Sequence, residues 1–199
     1  MKLRIVGLGD STTAGTPGFL PPLEVPPEGR GNPESQYAYW MMKTHPEWTV
    51  LNRGIDGQRS NEILARFDRD AVEAMPNYVI ILAGVNDIYQ GAPIESTKNN
   101  LLLMYQYSIS AGIRPVSASV LPYNTASRAE VTTIRDLNSW IEYTANRLEI
   151  LFCDTNLAVA DPENRDRLRV SPDGYHPDVT GYRNMGESLA RVIEADTVR

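Results

Sequence analysis

Four short polar clusters hold the side chains of this sequence that can act together on a substrate. Gly9-Asp10-Ser11 and Gly84-Val85-Asn86-Asp87 each follow an apolar run. Asn52-Arg53-Gly54-Ile55-Asp56-Gly57 lies between them, and Asp173-Gly174-Tyr175-His176 lies near the C-terminus. A serine hydroxyl is a weak nucleophile unless a neighbouring base removes its proton. Ser11 therefore needs a base supplied from elsewhere in the chain.

His176 is the better of the two histidines to serve as that base. A neutral imidazole accepts a proton near neutral pH. His45, the other histidine, lies between a predicted helix and the second predicted strand, at the opposite end of the sheet. Asp173 precedes His176 by three residues on one predicted loop, so its carboxylate can turn back and accept the Nδ1 proton. These residues predict a Ser11–His176–Asp173 triad.

The same clusters offer donors for the oxyanion that forms when an ester is attacked. Such an oxyanion needs two or three hydrogen-bond donors already aimed at it. The Ser11 backbone N–H is one candidate. The Gly57 N–H is a second, because glycine lets the backbone approach a substrate without a Cβ in the way. The Asn86 side-chain amide is a third, and it carries no charge that would attract a counter-ion.

Strands and helices alternate five times along the chain. Apolar, β-branched runs predict strands at 3–8, 49–52, 78–83, 114–121 and 150–154. Apolar residues at helical spacing predict helices at 36–44, 61–74, 97–111, 129–148 and 178–195. This alternation predicts a parallel sheet with helices on both faces. The binding site of such a sheet lies beyond the carboxyl ends of its strands, where the four clusters converge.

Two further segments bear on the substrate. Thr16 to Ser35 contains six of the fourteen prolines, which predicts a long loop. That loop is either a lid over the site or a contact between subunits. Tyr123 and Asn124 follow the fourth predicted strand. They either line the acyl pocket or form a plain turn, and the sequence favours neither reading.

Size and charge exclude several classes of protein. A chain of 199 residues predicts one domain over 1–199 with a substantial buried core. A formal net charge of -6, without a local Lys/Arg cluster, argues against a nucleic-acid partner. No stretch approaches the roughly 20 apolar residues that span a bilayer, so no membrane insertion is expected. The N-terminal run is broken by Gly7, Gly9 and Asp10 and resembles a strand rather than a signal peptide, which predicts a cytoplasmic location.

The sulfur and imidazole groups are too few for a metal site. Cys153 is the single cysteine, at the end of a predicted buried strand, and we expect it to be a small core residue. One cysteine and two histidines do not supply the usual zinc ligand sets. No metal and no other cofactor is therefore expected.

The four clusters, taken in order, resemble the four motif blocks of the SGNH (GDSL) hydrolases. The blocks extend from residue 5 to residue 186, so the resemblance covers nearly the whole chain. It implies a flavodoxin-like, three-layer α/β/α sandwich. Gly57 and Gly54 compete as the donor of the second block. Gly57 is preferred because family members commonly place this glycine five residues after the asparagine that Asn52 resembles. Thr12 stands where many members have leucine or isoleucine after the serine.

The resemblance implies an activity and a role for each motif residue. Ser11 is the implied nucleophile, Asp173 and His176 its triad partners, and Gly57 and Asn86 oxyanion donors beside the Ser11 N–H. The family includes esterases, lipases, thioesterases, lysophospholipases and carbohydrate acetylesterases, none of which needs a cofactor. The expected function is therefore a serine esterase acting on a small-molecule, carbohydrate or lipid ester.

Two alternatives remain open at the level of sequence. One is a flavodoxin-like binding module with a vestigial triad, although that reading leaves Asn86, Asp173 and His176 without a joint purpose. The other is an acyltransferase or thioesterase that uses the same triad, since the acyl-enzyme is common to both reactions. Acyl length, alcohol moiety and oligomeric state are not readable from the sequence.

Overall fold

A five-stranded parallel sheet forms the centre of the computed structural model, which describes residues 1–198. Its strands are β1 (Arg4–Gly9), β2 (Thr49–Gly54), β3 (Tyr78–Leu82), β4 (Arg114–Ala118) and β5 (Leu151–Cys153). The spatial order is β2-β1-β3-β4-β5, with all neighbours parallel. This is the flavodoxin-like order, in which the direction of winding reverses between β1 and β3. The predicted three-layer α/β/α sandwich is confirmed.

Helices cover both faces of this sheet. They are α1 (Ser11–Ala14), α2 (Tyr37–Thr44), α3 (Ser60–Ala65), α4 (Val85–Tyr89), α5 (Ile94–Ser110), α6 (Arg128–Leu148), α7 (Thr155–Val159) and α8 (Val179–Thr197). On one face α8 packs against α2 and α7; on the other α5 packs against α3 and α6. No helix among residues 1–198 has the length and apolar character needed to cross a bilayer.

Strand β3 shows why the central strands are continuously apolar. Tyr78, Ile80 and Leu82 point into the core shared with α2 and α8. Val79 and Ile81 point into the core shared with α5 and α6. Successive strand residues face opposite sides of a sheet, so a strand covered on both sides must be apolar throughout. Each fully buried aliphatic side chain contributes about 1.5–3 kcal/mol to folding.

Two predicted elements are interrupted in the structure. The helix predicted over 61–74 is split into α3 and a π-helical turn, Asp68–Val72. The split falls at Arg66, whose side chain turns inward beneath the sheet edge. The fourth strand ends at Ala118 rather than at residue 121. Beyond it, the Asn138 amide replaces a strand partner by pairing with both the N–H and the carbonyl of Val120, at 2.7 and 2.9 Å.

The proline-rich segment is partly ordered by short pairings. Phe19–Leu20 and Arg30–Gly31 form a two-residue antiparallel ladder, and Pro33–Ser35 forms a 3-10 turn. Thr16 anchors the segment: its hydroxyl donates to Asp56 Oδ1 at 2.7 Å, and its carbonyl accepts from the Tyr182 hydroxyl at 3.0 Å. The segment therefore lies against α8 and the loop after β2.

The register of the sheet aligns the polar clusters at one level. Gly9, near the end of β1, is paired with Gly54 on one side and Leu82 on the other. The first three polar clusters lie at these residues or just after them in the sequence. Their side chains therefore emerge at the same edge of the sheet, as the alternating pattern predicts.

Candidate active site

The sheet edge brings together Ser11 and His176, which are 165 positions apart in the sequence. Ser11 begins α1 directly after β1, and His176 lies in the loop before α8. Ser11 Oγ is 2.8 Å from His176 Nε2, and His176 Nδ1 is 2.7 Å from Asp173 Oδ2. The three predicted triad side chains thus form one continuous hydrogen-bonded chain.

The Asp173 carboxyl is held in its ionised form. Partial burial acts to raise its pKa, but hydrogen bonds from the His176 ring and from the Tyr175 and His176 backbone N–H groups outweigh burial and hold the pKa below its ordinary value. An ionised carboxylate can only accept hydrogen bonds, so Nδ1 of His176 carries the hydrogen. Nε2 then presents its lone pair to Ser11, in the tautomer that accepts a proton.

The loop that carries Asp173 and His176 is braced internally. Asp173 Oδ1 accepts from the N–H groups of Tyr175 and His176, at 2.8 and 2.9 Å. The Ser171 hydroxyl donates to the His176 carbonyl at 2.6 Å and accepts from the Gly174 N–H at 2.9 Å. Gly174 adopts φ +85, which glycine tolerates without a Cβ clash. These bonds hold the aspartate and histidine in one orientation.

The two glycines of the second cluster have different surroundings. Gly54 ends β2 beneath α1, where a Cβ would collide with the backbone nitrogen of Ala14. Gly57 has φ +72, with open space where its Cβ would lie, and it lines the pocket beside Ser11. Its N–H donates to no acceptor in the part of the chain that the structure describes. Gly54 thus permits close packing, and the geometry favours Gly57 as a donor to substrate.

The Asn86 side chain and the Ser11 backbone offer two further donors beside the pocket. Asn86 follows β3 in α4, and its amide nitrogen donates one hydrogen to the Gln58 carbonyl at 3.0 Å. That bond orients the amide and leaves its second hydrogen for a ligand. The Ser11 N–H lies in the first turn of α1, where backbone donors have no partner within the helix. Ser11, Asn86 and Gly57 all line the same pocket.

This pocket, about 250 Å³ in volume, has a wall of three mutually packed tyrosines. The ring centroids of Tyr89 and Tyr175 are 5.7 Å apart, those of Tyr89 and Tyr123 6.0 Å, and those of Tyr123 and Tyr175 6.1 Å. Burial, together with the neighbouring Glu130 carboxylate, raises the pKa of Tyr123 above its ordinary value, so its hydroxyl stays neutral. No residue of 16–35 lines the pocket.

Asn124, predicted together with Tyr123 as a pocket residue, does not line this pocket. Its side-chain oxygen accepts from the Leu168 N–H at 2.8 Å, and its own N–H donates to the Gly174 carbonyl at 2.7 Å. Asn124 therefore ties the triad loop to a hairpin strand, Asn164–Leu168. Tyr123 and Asn124 are adjacent in the sequence, but only Tyr123 lines the pocket.

A model of the GDSL-like lipase/acylhydrolase family matches residues 8–183, most of the chain. The chain belongs to this family. It is therefore a carboxylic ester hydrolase of the serine type, and the resemblance seen in the four motif blocks is confirmed.

Solved structures of similar proteins share the fold. A lipolytic protein of the G-D-S-L family from Desulfitobacterium hafniense is 28% identical, with a TM-score of 0.77 over 96% of this chain and 99% of that one. A GDSL-like lipase from Bacteroides thetaiotaomicron is 25% identical, with a TM-score of 0.78 over 97% and 88%.

A third relative is an acetylxylan esterase from Geobacillus stearothermophilus. It is 21% identical over 198 residues, which is 86% of this chain and 90% of that protein. Its structure superimposes with a TM-score of 0.74 over 96% and 94%. Catalytic mutants of that esterase replace a serine, an aspartate or a histidine with alanine.

Asp10, the central residue of the Gly-Asp-Ser block that names the family, caps the helix that begins at Ser11. Its Oδ1 accepts from the Thr12 N–H at 3.0 Å. Its Oδ2 is buried and has no hydrogen-bond partner among the described residues. Burial raises the pKa of Asp10 to about 6, against the opposing effects of the Thr12 hydrogen bonds and the nearby His176 ring. Asp10 therefore shapes the turn that begins at Ser11.

We expect Asp10→Asn to change how stability depends on pH. Because the folded pKa of Asp10 lies above its unfolded value, its contribution to stability is present below about pH 4 and is lost as pH rises through about 6. A shift from 3.8 to about 6 corresponds to about 3 kcal/mol. Urea unfolding of both proteins from pH 4 to pH 7 should show the variant gaining about that much relative to wild type. A difference that stays constant across this range would contradict the buried-carboxyl explanation.

Arg66 is a site residue that sequence reasoning missed. Its guanidinium, 6% exposed, donates to the carbonyl of Gly9 at 2.7 Å and to that of Arg53 at 2.8 Å, and pairs with Asp70 at 2.8 Å. It therefore joins the ends of β1 and β2 directly below the site. The helical pattern gave no signal, because a charged residue between apolar ones is read as solvent-exposed.

Tyr89 and Tyr175 were also missed as wall residues. Tyr175 lies inside the last polar cluster and Tyr89 lies two positions after the third, and this placement is the one signal that could have found them. Among residues 1–198, no group of three or more His, Cys, Asp or Glu side chains is arranged to hold a metal ion.

Proposed function

We propose that the chain hydrolyses short-chain carboxylic esters, acetyl esters in particular, through an acyl-enzyme formed on Ser11. The observation that carries the proposal is the continuous chain from Ser11 Oγ to His176 to Asp173, at 2.8 and 2.7 Å, beside a pocket that Ser11, Gly57 and Asn86 all line. The proposal treats residues 1–199 as one hydrolase domain, because both buried clusters pack on the same sheet.

In the first half-reaction Ser11 Oγ attacks the ester carbonyl carbon. The hydroxyl proton moves to His176 Nε2 as the Oγ–carbon bond forms, and the carbonyl oxygen becomes an oxyanion. The N–H groups of Ser11 and Gly57 and the Asn86 amide donate to it. His176 then gives its proton to the alcohol oxygen as the carbon–oxygen bond breaks, and the acyl group remains on Ser11.

In the second half-reaction water takes the place of the alcohol. His176 removes a proton from water, the same three donors hold the second oxyanion, and the acid leaves as Ser11 recovers its proton. Asp173 remains ionised throughout and stabilises the imidazolium whenever His176 carries two protons. Each group is used twice, which is why one triad suffices for both steps.

The tyrosine wall supports a preference for short acyl groups. Tyr123 is 2% exposed and packs against both Tyr89 and Tyr175, so it has no free space into which to swing. A pocket of about 250 Å³ must hold the reacting carbonyl as well as part of the alcohol. The acetylxylan esterase relative, whose name specifies an acetylated polysaccharide, supports an acetyl ester of a hydroxylated compound.

The test is hydrolysis of p-nitrophenyl esters of increasing acyl length. We expect kcat/KM to be highest for acetate or propionate and to fall as the chain lengthens. Each added methylene that cannot be accommodated typically costs about 1–3 kcal/mol of transition-state binding. Tyr89→Ala, which shortens the wall at a residue 55% exposed, should shift the optimum to longer chains. A wild-type optimum at octanoate or longer would overturn the short-chain assignment.

We expect Asn86→Ala to lower kcat by about 10²–10³-fold with little change in KM, because the amide donates most strongly to the developing oxyanion. The measurement is steady-state hydrolysis of p-nitrophenyl acetate. Asn184→Ala is the matched control, since Asn184 also donates one amide hydrogen to a backbone carbonyl, that of Ala158 at 3.2 Å, away from the pocket. Equal activity in the two variants would show that Asn86 is not an oxyanion donor.

A further inference from the structure

A groove rich in arginine adjoins the catalytic pocket. It lies between the first half of α6 and the hairpin strand Asn164–Leu168, and we call it the arginine groove. It consists of two concavities of about 480 and 450 Å³, which share Val131, Arg135 and Asp166. The smaller concavity is also lined by Tyr123, which forms part of the catalytic pocket wall. The groove therefore adjoins the catalytic pocket, and Tyr123 contributes to the walls of both.

The arginine groove has an excess of positive charge, whereas the chain as a whole is negatively charged. Four arginines line it, Arg128, Arg135, Arg165 and Arg167, against the two carboxylates Asp154 and Asp166. The complete chain carries a formal net charge of -6. Such a local concentration of guanidinium groups in a concave surface attracts anions.

Both groove carboxylates are already engaged within the fold. Asp166 accepts a two-pronged pair from Arg135, at 2.9 and 2.6 Å. Asp154 caps α7 and accepts from the Leu157 N–H at 3.0 Å. The side chains of Arg128 and Arg165, both exposed, make no hydrogen bond or ion pair with any residue in the described part of the chain. Their donors remain available to a ligand.

The remaining lining offers acceptors for hydroxyl groups. Thr132 and Ser139 each donate their hydroxyl hydrogen to a helix carbonyl at 3.0 Å, which leaves oxygen lone pairs facing outward from α6. Guanidinium groups bind carboxylates in a planar, two-bonded geometry. The groove thus combines carboxylate donors with hydroxyl acceptors.

We propose that the arginine groove binds a carboxylate-bearing saccharide, the alcohol part of an ester whose acyl group enters the catalytic pocket. Arg128 in the smaller concavity and Arg165 in the larger one pair with carboxylates of the saccharide, and Thr132 and Ser139 accept from sugar hydroxyls. This inference rests on the proposed esterase function and adds to it the chemical class of the alcohol. It favours an acidic glycan over the neutral one that the acetylxylan esterase relative is named for.

The test compares acetylated oligogalacturonate with acetylated xylo-oligosaccharide of equal length, in wild type and in the double variant Arg128→Ala/Arg165→Ala. Two exposed ion pairs predict a preference for the acidic substrate of roughly two- to thirtyfold in kcat/KM. This preference should shrink with added salt and disappear in the double variant. Hydrolysis of p-nitrophenyl acetate should be unchanged. Arg147→Ala, which alters an exposed arginine at the far end of α6, is the control and should keep the preference.

Calorimetric measurement of the binding of unacetylated oligogalacturonate tests the groove independently of the triad. Binding by wild type but not by the double variant supports the groove even where no ester is hydrolysed, in which case the esterase proposal alone fails. Equal kcat/KM for the two glycans in wild type, or a preference that survives in the double variant, overturns the groove. Tighter binding of glucose 6-phosphate than of galacturonate would overturn the proposal that the groove binds a carboxylate and would assign it a phosphate ligand instead.

Discussion

Ser11→Ala should reduce kcat for p-nitrophenyl acetate by about 10⁶-fold, to the level that oxyanion donors and binding alone provide. The change removes one oxygen that is 2.8 Å from His176 Nε2 and leaves the rest of the pocket in place. Without that oxygen no acyl-enzyme can form. Because Ser11 is small and 7% exposed, the melting temperature should change little.

Covalent capture gives this prediction a second readout. An organophosphate should add one phosphoryl group to the wild-type protein, at Ser11, and none to the variant, as measured by mass spectrometry. Ser188→Ala is the matched control, since Ser188 lies on α8 and contacts Arg191 rather than the triad. Undiminished hydrolysis by Ser11→Ala would show that another group is the nucleophile.

Asp173→Asn should reduce kcat by about 10⁴-fold while leaving the fold intact. Oδ1 of Asp173 accepts from two backbone N–H groups, so the oxygen of an asparagine must occupy that position. Its NH₂ group then faces His176 Nδ1, at the place where Oδ2 now accepts. The ring must present a lone pair at Nδ1 and hold its hydrogen on Nε2, in the tautomer that cannot accept the Ser11 proton.

The matched control for this change is Asp178→Asn. Asp178 caps α8 through a 2.8 Å bond from the Gly181 N–H, a role that asparagine fills equally well. It lies two residues from His176, whose ring nitrogens pair with Asp173 and Ser11 and not with the Asp178 carboxylate. Activity should therefore be retained in Asp178→Asn. Comparable activity in the two variants would mean that Asp173 does not orient the base.

The sequence alone did not decide whether the proline-rich segment is a lid over the site or a contact between subunits. The structure shows contacts of this segment that neither role requires. Thr16 is anchored to Asp56 and to Tyr182, and a cavity behind the triad loop is lined by Pro17 and Pro177 together. The segment therefore faces the back of the triad loop across this cavity. Its composition predicted an irregular path, but composition carries no information about which surface that path follows.

The sequence by itself determined the sheet, its covering helices and the chemical content of the site. Short, β-branched apolar runs favour strands buried on both faces, and the alternation of strand and helix favours parallel pairing. Parallel pairing places every strand end on one edge, so Ser11, Asn86 and His176 were predictable as neighbours. The roles proposed for them follow from the same residues, because a nucleophile, a base and neutral donors are rare as a set.

Only the tertiary structure decided the surroundings of those residues. Arg66 is buried because the carbonyls at the ends of two strands need a donor, and no pattern along one helix reveals acceptors supplied by other elements. Tyr89, Tyr123 and Tyr175 form one wall because three separate loops meet there. The chemistry of a motif is local to its residues, whereas the shape and charge of a pocket depend on contacts between distant segments, which appear only once the chain has folded.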